Sequence, residues 1–281
     1  MQAYSAPSLF QPHRARQALR DAGDGIIPPL IGVYLGLRSV PIARFIAPMG
    51  FDIVWIDWEH TSVNVETITS LVHEVMFMSE GKSIPFVRHA AIGFSLDAGA
   101  SIVVPQVDTI EQARKIVSAA KFGAKVNSTH SAPPFRLIPG LTDGRCDPTK
   151  TLHQNLNEQT AIMIQVEALE SIRNLPGRHS YRDCRVSMDL EADISPDHSE
   201  PEWIEAIQTV EMTMQKHAPR VGFGGFGMGD DATVLKRTKN KSFVVVGADT
   251  LALVGLMGSL SNARKFLPKL ENKGLGGSPQ D

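Results

Sequence analysis

The stretch "FDIVWIDWEH" ends an apolar run in three ionisable side chains. Residues 51–56 are mostly β-branched or aromatic, as in a buried strand, and Asp57, Glu59 and His60 follow directly. A histidine beside carboxylates can act as a general base near neutral pH. A lone histidine is more often structural, and an acid at a strand end often caps the next helix. The combination indicates an acid–base site where a strand ends.

Two further apolar runs end in groups that suit the same chemistry. Arg88 ends "IPFVR" and offers a planar cation to a carboxylate or enolate oxygen, although it could instead form a salt bridge with a neighbouring acid. Gln165 and Glu167 end "AIMIQVE" and, being two residues apart, lie on the same side of a strand. A glutamate with a second acid and water forms an oxygen-rich shell that suits Mg²⁺ or Mn²⁺ better than Zn²⁺.

The elements that position these groups are apolar runs separated by amphipathic helical segments. The runs are continuous rather than alternating, which is typical of parallel strands buried on both faces. Because polar groups recur at the carboxyl ends, the pattern predicts an α/β fold, a (β/α)8 TIM barrel whose strand ends share one mouth. A doubly wound open sheet is the alternative. Seven such runs begin at residues 30, 51, 83, 101, 161, 221 and 243.

Composition excludes several classes of partner. The 281 residues are 42% hydrophobic with a net charge of −2 and no basic stripe, so we expect a small-molecule substrate and neither nucleic acid nor membrane. The stretch around Asp249 is apolar, but its charge and glycines favour a buried strand and helix over a membrane span. Cys146 and Cys184 form no CxxC motif. A cytoplasmic location is expected, with mitochondria as the alternative because three arginines precede the first acid.

The chain is predicted to divide into three parts. Residues 1–29 form a leading segment with a helix, residues 30–270 form the barrel, and residues 271–281 form a flexible tail. A long stretch at 122–159 is rich in Pro, Gly, Ser, Thr and Asn and shows no clear period. A structureless insertion of this length is usually functional or mobile, so we interpret it as a lid over the mouth, with a surface excursion as the alternative.

Five segments, taken in order, resemble the strand-end motifs of the HpcH/HpaI aldolase family, and more closely its fungal macrophomate-synthase-like branch. They are "APMGFDIVWIDWEH", "IPFVRHA", "SLDAGASIVVPQVDTIEQARKIV", "IMIQVEALESI" and "FVVVGADTLAL". The resemblance implies a (β/α)8 barrel and a divalent cation, Mg²⁺ or alternatively Mn²⁺ or Co²⁺, that holds a 2-oxo acid. It implies aldol cleavage or addition, or oxaloacetate decarboxylation, through a stabilised enolate, and a homo-oligomer, typically a hexamer.

The resemblance also implies a role for each matching residue. His60 would be the base and Asp97 the group that raises its basicity, while Arg88 would stabilise the enolate. Gln165 would contact the substrate and Glu167 would bind the metal. The second metal ligand would be Asp183, in "YRDCRVSM", with Arg182 contacting the substrate. A divalent cation beside an arginine can offset enolate charge by several kcal/mol, which is the main demand of this chemistry.

The chain departs from the family pattern in two places. The segment before Asp183, "PGRHSYRD", is polar where a barrel strand should be buried, and it follows Glu167 too closely for a normal β-α-β unit of about 30 residues. The segment between Arg88 and Leu96 is also short. We therefore predict a shortened or defective sixth strand region. The alternative function is a catalytically impaired paralogue or splice variant that serves as a binding or assembly partner.

Overall fold

The computed structural model describes residues 13–89, 91–123, 128–131, 147–174, 184–188, 201–217, 222–227 and 241–266, with Met1, Tyr4 and Ile138 as single residues. Within this part of the chain, eight parallel strands close into a barrel in the order β1 to β8. The predicted barrel is confirmed, and each of the seven predicted runs contains a strand. The strands are Leu30–Leu35 (β1), Ile53–Asp57 (β2), Ile84–Arg88 (β3), Ser101–Val104 (β4), Ile162–Val166 (β5), Cys184–Met188 (β6), Phe223–Phe226 (β7) and Phe243–Ala248 (β8).

Helices lead into the barrel and connect its strands. Asn64 and Thr109 cap the helices Val65–Met78 and Ile110–Ala120, each accepting a hydrogen bond from a backbone N–H in the first turn, as polar N-cap residues do. A 3₁₀ helix, Ala47–Met49, follows the helix Val40–Ile46. The α-helices of the described residues are Ala15–Gly23 (α1), Val40–Ile46 (α2), Val65–Met78 (α3), Ile92–Asp97 (α4), Ile110–Ala120 (α5), Leu152–Gln159 (α6), Leu169–Asn174 (α7), Pro201–His217 (α8) and Asp249–Phe266 (α9).

Alternate residues of the strands fill the barrel interior, and α1 closes its amino end. Trp55, Phe86 and Met163 belong to one buried interior cluster, which also contains Ala18 and Leu19 of α1. The other strand residues face outward and pack against helices, as Val54 and Ile56 do against α3. This alternation follows from the two-residue period of a strand. It fixes which polar residues at the strand ends point into the mouth.

The sixth strand lies later in the sequence than expected. β6 spans Cys184–Met188 and pairs with both β5 and β7, so the barrel is continuous at this position. The polar stretch 176–183, predicted to supply this strand, lies outside the described residues, so the predicted defect stays a prediction. The second departure is visible as a short helix, since α4 has only six residues between β3 and β4.

The stretch interpreted as a lid contains a helix that the sequence pattern did not indicate. α6 begins with a capping box between Thr151 and Gln154 and buries Leu156. It contacts α1, and it leads directly into the amino end of β5. The described residues from 147 to 159 therefore lie at the amino end of the barrel and do not cover the mouth. Residues 124–127, 132–137 and 139–146 of this stretch lie outside the described residues.

The last helix, α9, carries an exposed apolar surface. Leu253, Val254, Leu256, Met257 and Leu260 are each at least half exposed, and every residue from 251 to 265 is classed as exposed. Soluble monomers rarely expose a contiguous apolar surface of this kind. In the part of the chain that the structure describes, no helix is both long and apolar enough to cross a membrane. The predicted tail, 271–281, lies outside the described residues.

Candidate active site

Three predicted residues lie at or near the carboxyl ends of their strands and point into the barrel interior. Asp57 ends β2, Arg88 ends β3, and the strand register places them directly opposite each other. Gln165 on β5 is completely buried. Each residue follows an interior neighbour by two positions, Trp55, Phe86 and Met163 respectively, so their side chains point inward as well. The apolar run 51–56 is therefore a buried strand, and the ionisable residues that follow it lie at the mouth of the barrel.

Asp57 and Arg88 form a buried ion pair. Arg88 Nε donates to Asp57 Oδ1 at 2.9 Å, and the two side chains are 7% and 1% exposed. Burial raises the pKa of the Asp57 carboxyl, but the hydrogen bond and charge of Arg88, together with the neighbouring Tyr34 hydroxyl, outweigh burial and hold the pKa below its usual range. Burial lowers the pKa of the Arg88 guanidinium, and the bond to Asp57 more than reverses this effect. Both groups are therefore charged at neutral pH.

Glu59 and His60 border this pair toward solvent. The backbone N–H groups of both residues donate to the Asp57 carboxylate, at 3.2 and 3.3 Å, which fixes the turn after β2. Glu59 Oε2 lies 3.4 Å from Arg88 Nε and 3.7 Å from His60 Nε2. The His60 side chain is 63% exposed, so a solute entering the mouth can reach it. The structure thus brings the predicted base and the predicted enolate stabiliser together through Glu59.

Asp97 does not join this group within the chain. Its Oδ1 lies 3.4 Å from Nε2 of His130, whereas the ion-pair contact of His60 is to Glu59. The reason is geometric: α4 runs from the mouth back toward the amino ends of the strands, and Asp97 is its last residue before β4. The predicted support of His60 by Asp97 is therefore not present inside a single chain. The His130 ring is fixed by Phe122, with ring centroids 4.7 Å apart.

Glu167 follows β5 at the mouth and is held by the backbone of a neighbouring loop. Its Oε2 accepts a hydrogen bond from the Gln106 N–H at 2.6 Å. Gln106 has φ of +53°, a left-handed conformation that costs a residue other than glycine about 1 kcal/mol and is often found at functional sites. The left-handed conformation of Gln106, in the loop after β4, thus directs its backbone N–H group at Glu167.

The oxygen donors at the end of β5 are compatible with a hard divalent cation. In the part of the chain that the structure describes, no group of three or more His, Cys, Asp and Glu side chains could hold a metal ion. Mg²⁺ needs fewer protein ligands, because it keeps several waters and is bound through one or two carboxylates and substrate oxygens. A carboxylate from Glu167 with the amide of Gln165 nearby fits this chemistry and does not fit Zn²⁺.

The predicted second ligand, Asp183, and the predicted substrate contact, Arg182, lie outside the described residues. β6 begins at Cys184, so both come before its amino end along the sequence. The residue that follows its carboxyl end is Asp189, also outside the described residues. The sequence pattern did not predict this strand because "CRVSM" contains a charged and a hydroxyl residue. The acid directly after it, Asp189, is the feature that could have indicated a strand end.

Tyr34 is a site residue that sequence analysis missed. Its hydroxyl accepts a hydrogen bond from Arg88 Nη2 at 3.1 Å. Burial and the neighbouring Asp57 carboxylate raise the pKa of the phenol, so it is neutral at physiological pH. A signal was present, since Tyr34 is the only residue of "LIGVYL" with a polar side chain and it lies near the carboxyl end of that strand.

Curated relatives of similar sequence are aldolases. The chain is 31% identical over 155 residues to a 4-hydroxy-2-oxo-heptane-1,7-dioate aldolase of Shigella sonnei, a match that covers 53% of this chain and 55% of that protein. It is 30% identical over 151 residues to a 2-keto-3-deoxy-L-rhamnonate aldolase of Klebsiella pneumoniae, covering 52% and 53%. The matched part of the chain thus spans about half the length of these curated relatives.

The likeness in fold extends further along the chain than the likeness in sequence. The crystal structure of macrophomate synthase superposes with a TM-score of 0.82 at 26% identity, covering 93% of each chain. The family model described as HpcH/HpaI aldolase/citrate lyase matches residues 30–177, just over half of the chain. This range contains β1 to β5 and all the described residues of the mouth discussed above. The chain belongs to the HpcH/HpaI aldolase/citrate lyase family.

Proposed function

We propose that the protein is a metal-dependent carbon–carbon lyase that acts on a small 2-oxo acid through an enolate. Substrates of this class include oxaloacetate and 4-hydroxy-2-oxo acids. The observation that carries the proposal is the buried Asp57–Arg88 pair at the mouth of a barrel of this family. It holds a permanent cation in a fixed place, as stabilisation of a developing oxyanion requires.

Each residue at the mouth has a part in cleaving a 4-hydroxy-2-oxo acid. His60 accepts the proton of the 4-hydroxyl group, the bond between C3 and C4 breaks, and an aldehyde leaves. The electron pair of that bond forms an enolate whose oxygen Arg88 stabilises, and protonation at C3 then yields the shorter 2-oxo acid. In oxaloacetate the same bond breaks with loss of CO₂, so no base is needed for that step.

The cation that this chemistry requires would be held by Glu167 and a second carboxylate. When bound, it polarises the keto oxygen and offsets enolate charge by several kcal/mol. We propose Asp189 as the second ligand in preference to Asp183, because strand ends that open to the mouth are carboxyl ends and Asp189 follows the carboxyl end of β6 in the sequence. Gln165 is completely buried two positions before Glu167, and we propose that it contacts the substrate.

A catalytically silent barrel that assists the assembly of relatives is the second candidate function. The six-residue α4 favours it, because a short crossover alters the wall next to Arg88. Calorimetric titration with Mg²⁺ and Mn²⁺, with and without oxalate, separates the two functions. A lyase binds metal more tightly with oxalate present and turns over oxaloacetate in the same buffer. Absence of both metal binding and turnover would refute the lyase.

We also propose that the protein is a homo-oligomer, a hexamer by resemblance, in which α9 is covered by another subunit. The exposed apolar face of α9 supports this, since an uncovered face of this size favours association. Light scattering is expected to give a multiple of the chain mass at micromolar concentration. Leu256→Glu should shift the protein to smaller species, and Lys265→Glu near the end of the same helix should not. A soluble wild-type monomer would contradict the proposal.

A further inference from the structure

The hydroxyl of Tyr34 links side chains from three adjacent strands through Arg88. Arg88 donates from Nη2 to Tyr34 at 3.1 Å and from Nε to Asp57 at 2.9 Å, so the guanidinium bridges the two side chains. A guanidinium can only donate hydrogen bonds, so the phenol oxygen must accept from Arg88. Side chains of β1 and β2 therefore hold two different nitrogens of the same guanidinium.

Tyr34 is itself held firmly from the barrel interior. Its ring packs against Phe226 of β7, with centroids 5.8 Å apart, and Phe226 in turn packs against Trp55 at 5.9 Å. The Arg88 carbon Cζ lies 5.7 Å from the centroid of the Tyr34 ring. Both rings are partly buried against the interior cluster, and these ring contacts restrict the rotamers of Tyr34, so its phenol oxygen is an anchor for the guanidinium.

The two hydrogen bonds of Arg88 do different things. The bond from Nε to Asp57 holds one edge of the guanidinium, but a single hydrogen bond tolerates angular deviation, so the opposite Nη edge can still tilt. The second bond, from Nη2 to Tyr34, fixes the plane. Asp57 would keep its donors without Tyr34, namely Arg88 and the N–H groups of Glu59 and His60, so the ion pair itself does not depend on the phenol.

We infer that Tyr34 is a positioning residue, which sets the plane in which Arg88 presents its remaining N–H groups to an anionic oxygen of the substrate. That Arg88 contacts the substrate rests on the proposed function. That Tyr34 holds Arg88 rests on the hydrogen bond and ring contacts described above. A stabilising donor must point at the place where charge develops, so orientation of the plane affects the chemical step more than substrate binding.

The variant Tyr34→Phe tests the inference because it keeps the ring and removes only the hydroxyl. We expect kcat for oxaloacetate decarboxylation to fall about tenfold while KM changes less than about twofold, since misorientation of a retained group costs less than its loss. Tyr4→Phe is the matched control: Tyr4 donates to Asp21 near the other end of the barrel, and its kcat should equal wild type. A tenfold rise in KM with unchanged kcat would overturn the inference.

A double-mutant cycle shows whether Tyr34 acts through Arg88. Arg88→Lys removes the planar group that Tyr34 orients, so adding Tyr34→Phe to this background should change the rate less than about twofold. Equal losses from Tyr34→Phe in both backgrounds would mean that the phenol acts independently of Arg88, and would overturn the inference.

A measurement without turnover keeps the inference separate from the proposed function. In ¹⁵N-labelled protein, the guanidinium signals of Arg88, assigned by their loss in Arg88→Lys, report exchange of the Nη hydrogens with water. Tyr34→Phe should speed this exchange while leaving the Nε signal in place, because only the Nη2 bond is lost. Unchanged Nη exchange would overturn the inference in an active or an inactive protein. Inactive wild-type protein would refute the lyase alone.

Discussion

Replacing Glu167 with alanine is expected to abolish metal-dependent oxaloacetate decarboxylation and to leave the fold intact. Glu167 is the described carboxylate at the carboxyl end of β5, and a metal that it helps to hold would contribute several kcal/mol to transition-state stabilisation. The loss in kcat/KM should therefore be on the order of 100-fold to 1,000-fold. A carboxylate at the mouth is not part of the packed core, so the unfolding midpoint should stay close to that of wild type.

The control for this variant is Glu158→Ala on α6. Glu158 is also a glutamate, its side chain is 52% exposed, and its ion pair with Lys150 lies at the surface. Its loss should change neither metal affinity nor turnover. Full metal-dependent activity in Glu167→Ala would mean that the site has been assigned to the wrong strand.

The same calorimetric titration distinguishes the two candidates for the second ligand. Two carboxylates that neutralise one cation should weaken its binding to a similar degree when either is removed. We therefore expect Asp189→Ala to resemble Glu167→Ala, and Asp183→Ala to bind metal as wild type does. The reverse result would restore the original assignment to Asp183 and would mean that the strand preceding the ligand is not β6.

The features that were predicted correctly from the sequence are strands that are buried on both faces. Continuous apolar runs such as "FDIVWID" and "AIMIQV" are stable where both faces of a strand are buried, as in a parallel barrel. The polar residues that end these runs then lie at one mouth. β6 has no such signal, because Arg185 and Ser187 interrupt the apolar pattern, and its pairing depends on strands that are distant in the sequence. α6 was missed for a similar reason, since it is mostly polar and buries few side chains.

Contacts between side chains were harder to predict than their positions. The predicted strand ends were correct for Asp57, Arg88, Gln165 and Glu167. The contact between Tyr34 and Arg88 depends on the register of β1 against β2, which cannot be read from the sequence. Asp97 was predicted to support His60, and the direction of α4 takes it to His130 instead. Motif order identifies the elements of a site, whereas geometry within the fold decides which side chains meet.

Replacing Arg88 with methionine is expected to destabilise the protein by about 3–5 kcal/mol at pH 7, because it leaves the buried Asp57 carboxylate without its cation. Methionine is similar in length and apolar, so the loss reflects charge more than volume. Urea unfolding should measure it, with activity lost as well. Asp57→Asn combined with Arg88→Met should recover part of the stability, since the amide needs no counter-ion. A loss below about 1 kcal/mol would contradict the importance of the pair.

The pH dependence of this variant should run opposite to that of wild type. In wild type the folded pKa of Asp57 lies below its unfolded value, so the stabilisation is present above the unfolded pKa and is lost as pH falls through the folded one. Without Arg88 the largest lowering influence is lost, so we expect burial, the largest single cause, to raise the pKa of Asp57 above its unfolded value. Arg88→Met should therefore become more stable as pH falls from 7 toward about 5. If acidification over this range instead weakens Arg88→Met, the stabilising partner of Asp57 must be a group other than Arg88.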